Sequence, residues 1–298
     1  MPLPLSIAYI AVILIWSTTP LAIQWSALGG GFTFAVLARM VIGLVLSLAI
    51  IVVWRIGLPL HARARRSYLA GGVGTFGAML CTYWGAQYIH SGLVSVLFGT
   101  APLMTGVLSA LWLGEKALQP AKVGGLLLGL GGLALIFATG GNAGQGNTLH
   151  GLVSLLLAVL IYSAALVWMK RIGDDSPPLA TTAGTLLVSV PLFALAWLVM
   201  DGRAPVALPP QAWLAIGYLG VFGSVLGFAL YYYLIKNMEA GKVALITMVT
   251  PVIALLIGHA FNHEAIELRV WVGATLIGVG LMLHQWRSIA AAVSWRRG

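Results

Sequence analysis

Charged residues are scarce in this chain. Only 8% of the 298 residues are charged and 60% are hydrophobic, which gives a mean hydropathy of +0.99. A water-soluble protein of this length needs far more charge to cover its surface. The shortage of charge therefore excludes a soluble globular protein and predicts one that crosses the membrane many times.

Cysteine and catalytic motifs are also missing or nearly so. The single cysteine, Cys81, excludes an intramolecular disulfide and a cysteine-based metal site. The chain contains no G-x-x-x-x-G-K-[ST] sequence, which excludes a P-loop ATPase, and no H-E-x-x-H or G-x-S-x-G sequence. We therefore expect no metal, no cofactor and no enzymatic activity.

Acidic residues are fewer than basic ones, and their positions matter. None of the seven Asp and Glu residues lies in the middle of an apolar run, and Glu264 and Glu267 lie near the end of one. A proton-coupled exchanger of cations normally relies on a membrane-embedded carboxylate, so this mechanism is disfavoured. The net charge of +9 is carried by short loops and the tail, where it favours membrane orientation and not nucleic-acid binding.

Ten apolar runs of about 20 residues follow one another along the chain, and each has the length that crosses roughly 30 Å of hydrocarbon. Numbered as spans 1 to 10, they cover residues 5–27, 33–54, 68–89, 92–113, 120–139, 149–169, 179–200, 212–234, 242–262 and 267–286. The first run lacks the basic start and the cleavage site of a signal peptide. We predict an all-α polytopic membrane protein with ten transmembrane helices.

The two halves of the chain repeat one pattern. The clearest matched pairs are Trp16 with Tyr162, Ser17 with Ser163, Pro102 with Pro251, and Glu115 with Glu264. The first two pairs are 146 positions apart and the last two are 149 apart, so we expect three extra residues in the second copy, around 227–239. We assign residues 1–143 to a first five-helix repeat and residues 144–298 to a second repeat with a short basic tail.

The basic residues cluster at one set of span ends. Thirteen of the 16 Lys and Arg residues lie at the ends that face the same side as both termini, whereas only Arg203 and Arg269 lie at the opposite ends. The positive-inside rule then predicts that both termini are cytoplasmic. Because each copy has an odd number of spans, the second copy crosses in the opposite sense. Such inverted repeats are typical of secondary transporters with a site near the midplane.

Polar and aromatic residues deep in the spans are candidate substrate-binding residues. They are Trp16, Ser17, Gln24, Tyr83, Trp84, Gln87, Tyr162, Ser163, Thr247 and Thr250. Amide and hydroxyl groups in hydrocarbon need partners, and either a substrate in a cavity or a neighbouring helix can supply them. We interpret the run Tyr231–Tyr233 as an interfacial anchor.

Arg39 is the only charged side chain well inside a span. A buried arginine is costly, so Arg39 is a candidate partner for a substrate carboxylate, with snorkelling to the interface as the alternative. Pro20, Pro102 and Pro251 lie inside spans 1, 4 and 9, where a missing backbone hydrogen bond predicts a kink or a gate. Close helix packing is the alternative for the prolines.

Two matched stretches carry a family resemblance. Ala101-Pro102-Leu103 through Gly114-Glu115 and Thr250-Pro251 through Glu264, each followed by a glycine-rich span, resemble the EamA family of the drug/metabolite transporter superfamily. The chain is most similar to its bacterial aromatic amino acid exporter branch. The resemblance implies a secondary transporter of the inner membrane. It also implies that spans 1, 3, 4, 6, 8 and 9 surround a central cavity and that spans 5 and 10 are peripheral.

The function expected from the residues and the resemblance is the export of amino acids, including aromatic and other apolar ones, by alternating access. The alternatives are an exporter of another metabolite or drug on the same fold, a channel, or an intramembrane enzyme. The expected partners are a small-molecule substrate and the lipid bilayer, with the chain as a monomer or weak homo-oligomer.

Overall fold

The structure, a computed structural model, describes residues 4–113, 120–137, 148–237 and 246–284, and within these ranges the chain is helical without a β-strand. In the first copy, spans 1 to 3 are Leu5–Ser26, Phe32–Val53 and Ala62–Gly85, span 4 consists of Ser91–Phe98 and Ala101–Leu113, and span 5 is Pro120–Phe137. In the second copy, spans 6 and 7 are Thr148–Ile172 and Pro178–Met200, and span 8 consists of Pro210–Tyr218, Leu219–Leu226 and Gly227–Asn237. Spans 9 and 10 are Ile246–Asn262 and Leu268–His284. The predicted all-helical, ten-span architecture is confirmed.

Six of the described spans are long and apolar enough to cross a membrane on length and composition alone, namely spans 1, 2, 4, 6, 7 and 8. Span 3 is long enough, at 24 residues, or roughly 36 Å at 1.5 Å per residue. Its composition is less apolar because it carries three arginines and five glycines. It packs between spans 6 and 7, so much of its surface is covered by protein and not by lipid.

Glycines let span 3 approach these neighbours closely. A Cβ atom added to Gly74 would lie 2.2 Å from the Cβ of Ala165 in span 6, and one on Gly72 would lie 2.4 Å from the Cβ of Val188 in span 7. Neither position has room for a side chain. Close backbone packing of this kind stabilises helix association where no hydrophobic effect operates between helices.

Spans 5 and 10, which occupy equivalent places in the two copies, run in opposite directions. Gly124 lies beside Leu283 at one end of this pair, and Ile136 lies beside Gly273 at the other end. Residue numbers therefore rise along one helix as they fall along the other. An antiparallel arrangement of equivalent helices is what an inverted repeat requires.

The packing of the other spans is symmetric when each span is exchanged with the span five places further along. Span 3 packs on spans 6 and 7, and its equivalent, span 8, packs on spans 1 and 2. Span 1 packs on span 9, and span 6 packs on span 4. Spans 2 and 7, 4 and 9, and 5 and 10 pack as equivalent pairs. The sequence repeat is thus also a repeat of tertiary structure.

Two places break this symmetry. Span 4 is interrupted at Gly99 and Thr100, two residues before Pro102, whereas span 9 continues through Pro251. Span 8 contains the π-helical segment Leu219–Leu226, whereas span 3 is α-helical throughout. A π-helix uses more residues per turn than an α-helix, and this segment lies directly before the interval where the extra residues of the second copy were expected.

Candidate substrate cavity

A cavity of about 120 Å³ lies where seven spans meet, several times the space that one water molecule needs. Its walls are mostly apolar, with a few polar groups, as is typical of a small-molecule site. The lining residues are Trp16, Thr19, Pro20 and Ile23 of span 1, Arg39 of span 2, Met79 and Thr82 of span 3, Val94, Ser95, Phe98 and Ala101 of span 4, Tyr162 of span 6, Gly223 and Phe228 of span 8, and Thr250 of span 9. The resemblance implied these spans, apart from span 2.

Trp16 and Tyr162 occupy matched positions of the two copies, and both contact Tyr231. The ring of Trp16 packs 4.7 Å from that of Tyr231, and the Tyr162 hydroxyl donates a hydrogen bond to the Tyr231 hydroxyl at 2.9 Å. Phe98 packs edge-on against Tyr162 at 6.2 Å. The interpretation of Tyr231 as an interfacial anchor is therefore wrong, because it supports the aromatic wall of the cavity.

The guanidinium of Arg39 is the charged group of this cavity. Arg39 lies seven residues, roughly 10 Å, inside the start of span 2 and is 2% exposed, so it does not snorkel to the interface. Its Nε donates to the hydroxyl of Ser224 at 3.1 Å and its Nη1 to the hydroxyl of Tyr83 at 3.4 Å. These bonds use two of the five N–H groups that an arginine can donate.

The π-helical segment of span 8 makes room for this side chain. A Cβ atom on Gly223 would lie 2.9 Å from Nη2 of Arg39, and Ser224, the next residue, supplies the hydroxyl that Nε contacts. Gly220, one turn earlier, lies against Ile42 of span 2. π-Helical turns occur often at functional sites, and here one presents small residues to a large buried cation.

Acidic partners for Arg39 are not found among the residues that line the cavity, all of which are neutral apart from Arg39 itself. Elsewhere in the described chain, Asp174 pairs with His61 and Glu267 pairs with Arg269. A buried guanidinium requires anions or hydrogen-bond acceptors to offset its lost hydration. The cavity is therefore electropositive at the position of Arg39.

Several of the predicted site residues lie outside the cavity wall. Gln24 donates through Nε2 to the carbonyls of Ala86 and Ile89, at 3.1 and 2.8 Å, and so holds the corner between spans 3 and 4. Gln87 is exposed and donates to the carbonyl of Trp84 at 3.3 Å. Gln24 therefore follows the interhelical alternative that the sequence left open, whereas the bond of Gln87 is local, to a carbonyl three residues earlier in the chain.

The remaining predicted residues divide into those in the wall and those behind it. Trp16, Pro20, Tyr162, Thr250 and Arg39 line the cavity. The hydroxyl of Ser17 donates to the carbonyl of Ile13, and that of Ser163 to the carbonyl of Ala101. Tyr83 accepts a hydrogen bond from Arg39, and Trp84 packs on Tyr88. Pro102 and Pro251 lie in spans 4 and 9 and do not line the cavity. The side chain of Thr247 lies outside the described part of the chain.

Sequence reasoning missed more of the wall than it found. Thr19, Ile23, Met79, Thr82, Val94, Ser95, Phe98, Ala101, Gly223 and Phe228 line the cavity without having been chosen as binding residues. The available signal was helical spacing. Trp16, Thr19, Pro20 and Ile23 follow steps of three, one and three along span 1, which is one face of a helix. Apolar residues at such positions look the same whether they face a cavity or a neighbouring helix.

Glu264 forms a second buried polar cluster, at the far end of span 9. Its carboxylate is 6% exposed and accepts hydrogen bonds from the Ser91 amide at 3.0 Å, the Ser91 hydroxyl at 2.6 Å, the Gly92 amide at 3.1 Å and the Asn262 amide group at 3.0 Å. Three of these four donors belong to the first turn of span 4, where the helix dipole also favours a negative charge. The sequence placed Glu264 at a helix end but did not show that it is buried.

Metal binding has no evident place in the described ranges, where no three His, Cys, Asp or Glu side chains come together in a way that could hold an ion. The described lining of the cavity offers apolar and aromatic surfaces, hydroxyl groups and the charge of Arg39.

Ten helices in two inverted copies, with a cavity where the copies meet, define the architecture of a membrane transporter. The model of the EamA-like transporter family matches residues 4–138 and 149–284, which is one match for each copy. The chain belongs to the EamA-like transporter family and is a multi-pass membrane protein.

Individual relatives agree with this assignment. The chain is 28% identical over 285 residues to the uncharacterized transporter YoaV of Bacillus subtilis, covering 92% of this chain and 94% of YoaV. It is 29% identical over 199 residues to the uncharacterized inner membrane transporter YedA of Escherichia coli K12, covering 66% of this chain and 62% of YedA. The names of these two relatives give the transporter class and no substrate.

A solved crystal structure shares the fold. It superposes on this chain with a TM-score of 0.69 at 22% sequence identity, covering 95% of this chain and 99% of the other. At this identity the likeness concerns the arrangement of helices alone.

Proposed function

We propose that this chain exports amino acids, including aromatic and other apolar ones, across the bacterial inner membrane by alternating access. The single observation that carries the proposal is the guanidinium of Arg39, held with unused N–H donors beside an otherwise apolar and aromatic cavity. An amino acid has a carboxylate that can bind to the guanidinium and a side chain that can pack in the apolar, aromatic part of the cavity. The relative YedA, an inner membrane transporter by name, supports this location.

The carboxylate of the substrate binds to Arg39. A guanidinium presents its N–H groups in a planar fork that matches the two oxygens of a carboxylate, and such charge-assisted bonds are stronger than neutral ones. Ser224 and Tyr83 fix the orientation of the fork because they hold Nε and Nη1. Binding also neutralises a cation that no cavity-lining acid balances.

The substrate side chain packs against the aromatic wall formed by Trp16, Phe98 and Tyr162. Aromatic contacts of this kind contribute about 0.5–1.5 kcal/mol beyond the burial of area. The hydroxyls of Ser95 and Thr250, which line the cavity, and the carbonyl groups near the break in span 4 are candidate acceptors for the amino group. Pro102 cannot bond to the carbonyl four residues earlier, so the carbonyl of Phe98 is left available.

Alternating access requires each end of the cavity to open in turn. At the Glu264 end, spans 1, 4 and 9 are joined by hydrogen bonds of Glu264 to Ser91 and of Asn262 to Gln24, the latter at 3.4 Å. At the opposite end, spans 1, 8 and 9 meet through the apolar side chains Val12, Leu234 and Ile246. We propose that the Glu264 end faces outward, with both termini in the cytoplasm, because the basic residues cluster at the other end.

Movement follows the substrate gradient. The lining of the cavity contains no carboxylate that could carry a proton through the transport cycle. We expect the rate in liposomes to be insensitive to an imposed proton gradient. A clear rise in rate with such a gradient would contradict this part of the proposal.

The deciding experiment is uptake of labelled amino acids by proteoliposomes that contain the purified chain. We expect saturable uptake of phenylalanine, tryptophan and leucine and counterflow of preloaded substrate, which a channel does not show. Variant Arg39→Gln should lose uptake, whereas the matched control Arg203→Gln, at an exposed loop position, should retain it. If no amino acid of the panel is taken up above the level of empty liposomes, the substrate assignment is wrong. Another metabolite or a drug would then be the substrate.

A further inference from the structure

A second concave site lies away from the substrate cavity, at the end of spans 3 and 6 that carries most of the basic residues. This basic groove has a volume of about 470 Å³ and is lined by Arg63, Arg66, Leu69, Trp168, Arg171 and Ile172. The proposed transport of amino acids makes no use of it. Trp168 of span 6 lies here and not in the lining of the central cavity.

The groove has two chemically different parts. Leu69 and Trp168 are 54% and 53% exposed, and both lie in membrane-spanning helices, so this part of the groove faces the hydrocarbon. Arg63 and Arg66 lie near the start of Ala62–Gly85 and Arg171 near the end of Thr148–Ile172, where we expect membrane-spanning helices to reach the lipid headgroups. Arg63, Arg66 and Leu69 follow at steps of three along span 3 and therefore share one face of the helix.

The acidic residue Asp174, near Arg171 in the sequence, is engaged by other groups. Asp174, three residues after Arg171, pairs with His61 at 3.7 Å and accepts a hydrogen bond from Ser176 at 3.1 Å. Three guanidinium groups around one groove attract a phosphate strongly, because each can donate two parallel hydrogen bonds to phosphate oxygens.

The geometry points to a binding site for the headgroup of an anionic phospholipid, with its phosphate among Arg63, Arg66 and Arg171 and its acyl chains along Leu69 and Trp168. Basic pockets between transmembrane helices are suited to such headgroups. The close packing of spans 3 and 6, at Gly74 against Ala165, fixes the distance between the two walls of the groove. A bound lipid would bridge two helices that also line the substrate cavity.

The test measures lipid binding directly and does not depend on transport. Purified protein is titrated with dioleoyl phosphatidylglycerol or, as the neutral control, dioleoyl phosphatidylcholine, and the lipid adducts are counted by native mass spectrometry. We expect a saturable adduct with the anionic lipid alone. Variant Arg66→Gln should weaken it by about five-fold, the effect expected of one arginine near a membrane surface, and Arg63→Gln/Arg66→Gln/Arg171→Gln by about 100-fold.

A neighbouring residue supplies a matched control. Arg65 is exposed like Arg66 and carries the same charge but does not line the groove. Arg65→Gln should therefore weaken binding less than two-fold. Equal losses from Arg65→Gln and Arg66→Gln would show general attraction to a basic surface and would overturn the proposal.

The source of the phosphate is decided by competition. Inorganic phosphate at the concentration of the lipid should leave the adduct intact, because it cannot contact Leu69 and Trp168. Displacement under these conditions would mean that the groove binds a free anion and that the lipid assignment is wrong. All of the substituted arginines are exposed, and a monodisperse elution profile verifies that each variant is folded.

Discussion

Among the residues that the structure describes, Arg39 and Glu264 are two buried charges that are satisfied to very different degrees. The carboxylate of Glu264 accepts four hydrogen bonds from Ser91, Gly92 and Asn262, which is about as many as its two oxygens can take. Within the described part of the chain, the guanidinium of Arg39 makes two hydrogen bonds, to Ser224 and Tyr83, out of five that it could donate. The charge of Glu264 is satisfied by groups of the protein, whereas N–H groups of Arg39 remain available to a ligand.

The difference separates a structural charge from a functional one. Glu264 joins the end of span 9 to the start of span 4, and its buried oxygens already accept hydrogen bonds from both. Arg39 lies in the wall of a cavity whose other lining groups are neutral. Removing each charge should therefore change a different property of the protein, which the following variants measure.

The largest effect is expected for transport by the Arg39→Gln variant. Loss of a charge-assisted hydrogen bond costs about 1.5–3 kcal/mol, so uptake in proteoliposomes, measured as kcat/KM, should fall by roughly 10- to 150-fold. Thermal stability should change little, because removing a buried charge also removes its desolvation cost. Normal uptake by a well-folded variant would show that Arg39 is a structural charge like Glu264.

The Glu264→Gln variant should show the opposite pattern. The amide nitrogen of glutamine is a donor and would face the N–H or O–H donors of Ser91 or Gly92, so hydrogen bonds are lost at a buried site. We expect a loss of about 1–3 kcal/mol in stability, seen as a lower Tm in detergent. Glu267→Gln is the matched control, since Glu267 forms a partly exposed ion pair with Arg269 and such pairs contribute about 0–1 kcal/mol.

Substrate affinity of folded Glu264→Gln protein should stay within a few-fold of the native value, because Glu264 does not line the cavity. A loss of affinity as large as that of Arg39→Gln, at an unchanged Tm, would contradict the division between the two charges.

The smallest effects are expected from the neutral partners of Arg39. Ser224→Ala removes the acceptor for Nε, and a neutral hydrogen-bonding group contributes about 1 kcal/mol, so substrate affinity should fall by roughly five-fold. Tyr83→Phe should cost less, because its bond to Nη1 is long, at 3.4 Å. Ser17→Ala, which removes a buried hydroxyl bonded to its own helix, serves as the control and should leave affinity unchanged. An equal loss in all three would mean that helix packing, and not the orientation of Arg39, is being measured.

The sequence predicted the charged member of the site and missed most of its neutral wall. Arg39 could be found because a charge inside an apolar span is rare and costly. Trp16 and Tyr162 could be found because they occupy matched positions of the repeat. Phe98 and Phe228 could not, because an apolar residue in a membrane helix carries no mark that distinguishes a cavity from a helix contact.

Gln24 and Gln87 show a second limit of the sequence, which concerns the partners of polar residues. Both are polar residues within or close to a span, and the sequence could state only that they need partners. The structure supplies main-chain carbonyls of Ala86, Ile89 and Trp84 as those partners. A helix end or a tight corner exposes carbonyl groups whose positions depend on the path of the chain, and this path is not visible in the sequence pattern.

The sequence by itself determined the number of spans, the repeat and the odd number of spans in each copy, since these follow from hydropathy and periodicity along one chain. Only the tertiary structure decided which charge stays available. That outcome depends on a π-helical segment in span 8 that places Gly223 and Ser224 beside Arg39, and on a corner that places Ser91 beside Glu264. Both contacts join residues more than 170 positions apart, and their satisfaction depends on distances of a few tenths of an ångström.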